Sequence, residues 1–408
     1  MGYTVTERHV CRICGSGQLV CFLELPDMPL TDQFLSRDKL GSEFLWPVRL
    51  YFCESCGVAQ TLHDVTVEDY YQDYHYSVGV SPLAQRFMLR LAHEAWRQFG
   101  LEPGDSVIEI GCSDGFQLAC FQALGARVFG FEPSAPLAEV ARRRGIPVAQ
   151  CLFTREAIGD IPADLLPARV VVLTYTFDHL PDPMGFVNAM REVLDPARGV
   201  LIAEVHDLEK IVTRREFCLF AHEHTAYYTA ATMQGVLRRA GFDLISLNLV
   251  PEAERRANSL LAAAMPLHAA VGPGPLPTLP LGPLGNADSY VTFGSAVQRS
   301  VAGLRQFVQR RRLSGTRLAG YGAGGRGVAT LAAIARPGDF LYVCDKNSSL
   351  HGRYTPGSHV PIDGPGRVLA EPVDELLVFS YGYLPEIRDE LGDFESRGGK
   401  LIPVIDLL

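Results

Sequence analysis

No run of about 18 apolar residues, the length a membrane-crossing helix needs, occurs in this 408-residue chain. No basic segment followed by an apolar stretch opens it, so neither a signal peptide nor a membrane span is expected. Positive charge is also in short supply. The formal net charge of -9 gives no electrostatic reason to approach nucleic acid or an anionic membrane. A disulfide framework is missing too, since four of the ten cysteines fall in two C-x-x-C pairs and the other six are scattered. In a long chain without a signal peptide that pattern means metal binding plus buried thiols, and a cytoplasmic location is expected. Nothing in the sequence speaks to the oligomeric state.

What is present is a folded composition. Apolar residues make up 47% and charged residues 20%, which excludes a disordered chain, and the length calls for two or three domains. Residues 1–80 hold the paired cysteines and many aromatics; residues 81–250 alternate short apolar runs with helical segments; residues 251–408 repeat that alternation. The spacing predicts a helix over Ser81–Phe99, opened by a Ser-Pro start, and a second over Val291–Arg312. Ser106–Gly111, Ala126–Glu132, Arg169–Thr174 and Gly199–Val205 have the length and valine-isoleucine content of buried parallel strands. Arg317–Tyr321, Phe340–Cys344 and Glu375–Phe379 suggest strands of a second α/β unit. The Pro- and Gly-rich tract within Met265–Gly285 forms neither helix nor sheet interior and is expected to be a long surface loop. The fold class is therefore α/β, with a small cysteine-rich module in front.

Cys11-x-x-Cys14 and Cys53-x-x-Cys56, each followed by glycine, read as two knuckles of one structural zinc site. Two intervening residues let both thiolates of a pair meet one ion, and four thiolates close its shell. The loop of 38 residues between the pairs is longer than in common zinc ribbons, and a redox pair or two buried pairs are the alternatives.

Val107-Ile108-Glu109-Ile110-Gly111-Cys112-Ser113-Asp114-Gly115 is an apolar strand ending in a turn of small residues. Gly111 and Gly115 leave room for close approach of a ligand at the carboxyl end of a parallel strand. Glu132 closes the next strand, 17 residues beyond Gly115, where a carboxylate can accept hydrogen bonds from both hydroxyls of a ribose. A nicotinamide or flavin site uses the same logic, and a fold without cofactor is the bland alternative. The acid at Glu109 and Ser113 between the glycines favour a third reading. The E-x-G-x-S-x-G form resembles motif I of class I methyltransferases, whose loop faces the amino-acid part of S-adenosylmethionine (SAM). That resemblance implies adenine contact by Phe153 and a cofactor lining from Thr174 through Phe177.

His179 follows the fourth strand and His222-Glu223-His224 follows the fifth, both at the end of the sheet where such folds build active sites. Alternate residues of H-E-H cannot both reach a metal from one helical face, so a second metal site is not expected there. An imidazole beside a carboxylate suits a general base near neutral pH, against the plainer reading of packing histidines.

Taken together, the cysteine pairs, Pro29–Leu35, Tyr74-His75-Tyr76-Ser77, the Glu109–Gly115 loop, Asp178–Asp182, His222-Glu223-His224, Tyr321–Gly327 and Gly352–Gly357 carry an end-to-end resemblance. The chain resembles the three-domain sugar C-methyltransferases that act on nucleotide-linked keto-deoxysugars in bacterial antibiotic pathways. The resemblance implies SAM-dependent C-methylation next to the carbonyl of a nucleotide-linked, dTDP-type sugar. It implies His224 as base, Glu223 beside it in the motif, and His179 and Tyr76 near the enolate oxygen. Two positions depart from it: Ala221 stands where the family has a tyrosine, and Thr174-Tyr175-Thr176 where it has an asparagine. Tyr227 and Tyr228 are the candidates to replace the lost phenol. O- or N-methylation of another natural-product intermediate is the alternative, and a non-catalytic binding module is the reading from another class.

In the last region Tyr321-Gly322-Ala323-Gly324-Gly325-Arg326-Gly327 is again strand, glycine turn and helix, suited to a pyrophosphate or simply to tight packing. The substrate-facing set is read as His222, Tyr321, Gly322, Gly324, Arg326, Lys346, Asn347 and Tyr354.

Overall fold

A computed structural model describes residues 3–66, 81–267, 274–371 and 373–408. At its centre lies a seven-stranded sheet in the order Phe242–Ser246, Ser259–Pro266, Val200–His206, Val170–Thr174, Ser106–Ile110, Arg127–Phe131, Val148–Ala149. Ser259–Pro266 runs against both neighbours, and the other pairings are parallel. The four strands expected from their apolar runs are present to within a residue or so at each end. Their lack of polar alternation has a simple cause, because both faces are covered. Ile108, Val171 and Leu173 enter one core, while Val107, Val170 and Val172 enter the other. Each such side chain contributes roughly 1.5–3 kcal/mol on burial. Chain order reverses between Ser106–Ile110 and Val170–Thr174, the switch point at which open α/β sheets bind ligands.

The helix Pro82–Gln98 begins where expected. The Ser81 side chain accepts the Ala84 N–H, Pro82 occupies the first turn, and Gly100 at φ +59° follows its end. No described helix is long and apolar enough to cross a membrane.

The front module is a four-stranded antiparallel sheet, Ala226–Tyr227, Ala59–Thr61, Leu45–Cys53, Leu19–Pro29. One of its strands therefore comes from the central region, two residues past His224. The last region is a five-stranded parallel sheet, Ile362–Asp363, Val343–Cys344, Leu318–Tyr321, Glu375–Val378, Lys400–Pro403. Of the strand expected over Phe340–Cys344, Val343–Cys344 forms the regular ladder, and Leu341 N–H to Leu318 O and Gly320 N–H to Tyr342 O (both 2.9 Å) lead into it.

Two further expectations need correction. A boundary at 250 falls short, since Ser259–Pro266 belongs to the central sheet and takes in Met265 and Pro266 from the tract expected to be loop. Beyond it, the Pro-rich tract hugs the sheet edge: the Leu276 N–H donates to Leu244 O (2.7 Å) and the Leu279 N–H to Gln234 Oε1 (2.8 Å). The helix Ala287–Leu313 then crosses back onto Leu19–Pro29. A Cβ on Gly294 would stand 1.7 Å from Phe22 O, so only glycine permits that approach. Phe22, Val48, Tyr290, Val297, Val343 and Phe379 share one core, which spans the front module and the last region.

Candidate active site

The turn after Ser106–Ile110 is held by the neighbouring strand. The Glu132 carboxylate accepts the Ser113 N–H at Oε2 and the Ser134 N–H at Oε1, both at 2.8 Å. Burial raises the Glu132 pKa and the two N–H donors oppose that rise. Gly111 (φ +74°) is needed for a different reason than ligand approach alone: a Cβ there would lie 2.6 Å from Thr176 Oγ1. Gly115 (φ +75°) makes room for Ala141 of the next helix, 2.9 Å from its would-be Cβ, and not for a ligand. Glu109 is buried and its Oε2 has no hydrogen-bond partner; Ser113 Oγ is likewise unpartnered. Burial raises the Glu109 pKa, with Arg256 opposing and Asp114 and Glu132 adding to the rise. Unpartnered buried acceptors beside a carboxylate at this turn fit a cofactor that brings hydroxyl and ammonium donors.

Thr174 ends its strand half-buried, and Thr176 Oγ1 donates to Ile110 O (3.2 Å), which lays the following loop against the turn. Phe177 does not line this space. It is 1% exposed and stacks on Tyr228 at 5.2 Å, so the expectation for it is corrected: burial in the core removes it from the cofactor side. Phe153 packs edge-on to Phe131 (5.0 Å) and Phe186 (5.2 Å), beside the strand end that carries Glu132.

Three imidazoles converge beyond that loop. The His179 and His224 rings are 4.7 Å apart and the His206 and His224 rings 4.9 Å apart. His224 Nδ1 lies 2.8 Å from Leu219 O. A carbonyl only accepts, so Nδ1 carries the hydrogen and Nε2 keeps a lone pair. His206 Nδ1 lies 2.7 Å from Asp178 Oδ2. Burial works against the Asp178 charge, yet the His206 hydrogen bond and the imidazoles of His206, His179 and His224 hold it well below the usual carboxylate range. Burial, then the charge of His224, pushes His179 down to about 4. Asp178, His179 and His224 each bring one donor atom to within 4.8 Å of the others. Neither His206 nor Asp178 stood among the expected catalytic residues. The only signal for His206 was its place as the last residue of a parallel strand. Tyr76 lies outside the described residues.

Glu223 turns to the front module, where Oε1 accepts Thr31 N–H (2.7 Å) and Thr31 Oγ1–H (3.1 Å). His222 is corrected. It is 3% exposed, Nε2 meets Met28 O (2.9 Å) and Nδ1 meets His63 Nε2 (2.7 Å), so no ring nitrogen is left for substrate. Burial, then the charge of His222, holds His63 down to about 3, and burial lowers His222 as well. The unfolded chain binds the extra proton near the ordinary value of about 6.5. Between those two values the unfolded state holds more protons, so stability falls as pH drops. Thermal melts from pH 7 to pH 4 are expected to show a falling midpoint, with a smaller slope in His63→Gln. Parallel slopes would count against this assignment. Beside Ala221, Tyr227 supplies the nearest phenol: its hydroxyl accepts the Ala221 N–H (3.3 Å), but at 1% exposure it faces the core.

From the last region, Arg326 faces the imidazoles. Burial works against its charge, which Tyr381, Cys218, Glu216 and Tyr175 reinforce, and it is one of the charges that lower His206. Ala323 N–H donates to Asp345 Oδ2 (2.8 Å), repeating the Ser113–Glu132 arrangement. Gly324 opens the helix Gly325–Ile334 with free space where a Cβ would go, whereas Gly322 (φ +96°) is packed against Ser380. One substrate expectation, Tyr321, is corrected here. Tyr321 is 3% exposed and its hydroxyl donates to Glu390, to which Lys346 is also paired at 3.3 Å. Asn347 Oδ1 caps its own turn through Ser349 N–H and Oγ–H, and Tyr354 uses its backbone to bridge Leu35.

At the front, Cys11 Sγ and Cys56 Sγ are 3.6 Å apart, as are Cys14 Sγ and Cys53 Sγ, and all four lie within 4.8 Å of one another. Four sulfurs at about 2.3 Å from one zinc ion stand about 3.8 Å apart along tetrahedral edges, so this donor set fits zinc. Gly15 (φ +73°) and Gly57 (φ +78°) close the two knuckles. Arg12, inside the first knuckle, has no exposed side-chain surface and donates through Nη1 to Pro181 O (2.7 Å). The Thr61 N–H donates to Thr225 O (3.0 Å), and Thr225 Oγ1 donates to Leu180 O (2.5 Å). The zinc module thereby grips both histidine loops.

Sheet order, acid-closed glycine turn and the site at the switch point define a class I SAM-dependent methyltransferase. Three family models match in succession: a putative zinc binding domain over residues 11–71, a methyltransferase domain over 82–247, and a C-methyltransferase C-terminal domain over 283–405. The chain carries in succession the three parts of a three-domain C-methyltransferase. It is 27% identical over 399 residues to the C-methyltransferase NovU of Streptomyces niveus, covering 96% of this chain and 94% of that one. The ubiquinone biosynthesis O-methyltransferase of Cupriavidus pinatubonensis is 26% identical over 155 residues, 35% of this chain and 62% of its own. The solved 1,6-didemethyltoxoflavin-N1-methyltransferase of Burkholderia thailandensis aligns at 16% identity and TM-score 0.34, over 44% of this chain and 78% of its own.

Proposed function

We propose that the enzyme methylates the carbon next to the carbonyl of a nucleotide-linked, dTDP-type keto-deoxysugar, with His224 as the base. The observation that carries this reading is the His224 tautomer. Its Nδ1 hydrogen is committed to Leu219 O, so the Nε2 lone pair is available in a cluster of imidazoles beside the cofactor turn. Bound SAM supplies an electrophilic methyl group. His224 Nε2 removes the proton on the carbon next to the carbonyl, and the C–H electron pair becomes an enolate. His179 is placed to face the developing negative charge on oxygen. Arg326 and the turn at Gly324 are placed to hold the diphosphate. The similarity to a C-methyltransferase over nearly the whole chain supports carbon as the methylated atom.

Incubation with dTDP-4-keto-6-deoxyglucose and 13C-methyl SAM tests this reading. A labelled methyl bonded to carbon is expected, and a methyl found on oxygen or nitrogen would overturn it. Glu132→Gln is expected to weaken SAM binding about tenfold or more by calorimetry, since a buried partner of the turn is lost at a cost of about 1–3 kcal/mol. Unchanged affinity would remove Glu132 from the cofactor site.

A further inference from the structure

The Asp178–His206 pair has no part in the reaction described so far, yet its geometry is that of an acid–base dyad. His206 is the last residue of Val200–His206, at the carboxyl end of the strand beside Val170–Thr174 and one strand removed from the switch point. Asp178 is 2% exposed, and its Oδ2 lies 2.7 Å from His206 Nδ1. An ionised carboxylate only accepts, so Nδ1 carries the hydrogen and the His206 Nε2 lone pair is left over. The His206 ring lies between Tyr175 (4.5 Å, tilted 40°) and His224 (4.9 Å, tilted 44°). Tyr175 is itself fixed. Its N–H donates to Glu204 O (2.7 Å), its hydroxyl donates to Ala257 O (3.1 Å), and the Arg256 guanidinium sits 4.5 Å from its ring centre. A histidine restrained by a hydrogen bond and by rings packed on both sides is held in one orientation, as an acid–base group must be.

The two imidazoles differ in what would stabilise them as cations. His224 has a neutral carbonyl behind it, whereas His206 has a buried carboxylate, and a charge-assisted hydrogen bond is roughly twice as strong as a neutral one. We propose that His206, backed by Asp178, is a proton-relay residue of this site, taking over at Nε2 the proton that His224 removes from the substrate. The balance is complete within the site. The C–H electron pair stays on the substrate and the proton goes to His224 Nε2, then to His206 Nε2. His224 returns to neutrality, and the His206 imidazolium is paired with the Asp178 carboxylate until the proton leaves to water. The groups that face His206 are Asp178, His224, Arg326 and Tyr175. Burial opposes the added proton most, and His224 and Arg326 oppose it too, while the hydrogen bond and charge of Asp178 favour it, so the charge is not trapped there. The relay rests on the enolate reading above, and its test is chosen to fail separately from it.

Histidines of the full zinc-loaded chain, labelled with 15N and 13C and saturated with S-adenosylhomocysteine, are titrated by NMR. The expected result is a His206 ring protonated at Nδ1 in its neutral form. Asp178→Asn should lower its proton affinity about tenfold or more, and His224→Gln should raise it. A neutral His206 protonated at Nε2, or a titration indifferent to Asp178→Asn, would overturn the relay whatever the substrate is. With dTDP-4-keto-6-deoxyglucose as the probe, His206→Gln should lower kcat ten- to hundredfold at unchanged KM for SAM, and displace the acidic limb of the kcat–pH profile. A profile superposable on that of the native enzyme would also overturn it. Failure of the native enzyme to turn over the probe would count against the sugar reading alone, and the titration would still decide on His206.

Discussion

His224→Ala is expected to lower kcat by about two to four orders of magnitude, the span associated with loss of a positioned general base. The effect turns on one hydrogen. Because Leu219 O holds the Nδ1 proton, Nε2 is the lone-pair nitrogen at neutral pH, and alanine leaves nothing in its place. The neighbouring His179 is a poor substitute, since burial, the main cause of its lowered pKa, persists when His224 is removed. Affinity for SAM should change little, as the cofactor turn is tied to Glu132 and Thr176 and not to His224. His224→Gln preserves most of the volume in contact with the His179 and His206 rings, so a shared loss of kcat in both variants separates chemistry from packing. Near-native turnover in either would remove His224 as the base.

Loss of zinc is the second large effect. Structural zinc sites in small domains carry apparent binding free energies on the order of 10 kcal/mol, coupled to folding. Here that coupling reaches the reaction centre through two short routes. One runs from Cys53, whose N–H donates to Val58 O, into Ala59–Thr61 and across to Thr225, next to His224. The other runs from Arg12 to the Pro181 carbonyl, two residues past His179. A strong chelator, or Cys53→Ser, is therefore expected to lower the melting temperature and cut kcat more than about tenfold, as both histidine loops lose their anchors. Metal content, calorimetric melting and turnover measured on one sample decide the matter. A metal-free chain that melts and turns over like the native one would disprove the coupling.

The parts of this architecture that were legible in the sequence are those whose spacing is fixed locally. Two residues between cysteines, a glycine turn after Val107–Ile110 and an acid closing the next strand are constraints a few residues long. The grouping of Cys11, Cys14, Cys53 and Cys56 followed from them, whereas the hydrogen bond from Ser113 N–H to Glu132 is a finding of the structure. What stayed hidden depends on contacts between distant segments. His222 and His224 are two residues apart, yet one meets Met28 and His63 while the other meets Leu219 and His179. No local pattern distinguishes them, and the H-E-H motif was read as one site. His206 was hidden for the opposite reason, as a strand end looks the same in sequence whether its last side chain is structural or functional. Ser259–Pro266 was overlooked because its alanines carry little strand signal. A phenol beside a glycine turn reads as exposed, whereas the Tyr321 ring packs into a core and its hydroxyl reaches the exposed Glu390.

The strand Ala226–Tyr227 has a bearing on how relatives with different substrates can be recombined. Its register against Ala59 and Gln60 is set by the front sheet, and a one-residue slip would turn every side chain of the segment to the opposite face. A hybrid that exchanges residues 3–66 alone would join a foreign edge to the native loop. The exchangeable unit is discontinuous, residues 3–66 together with 220–228, and the two pieces have to be transplanted together.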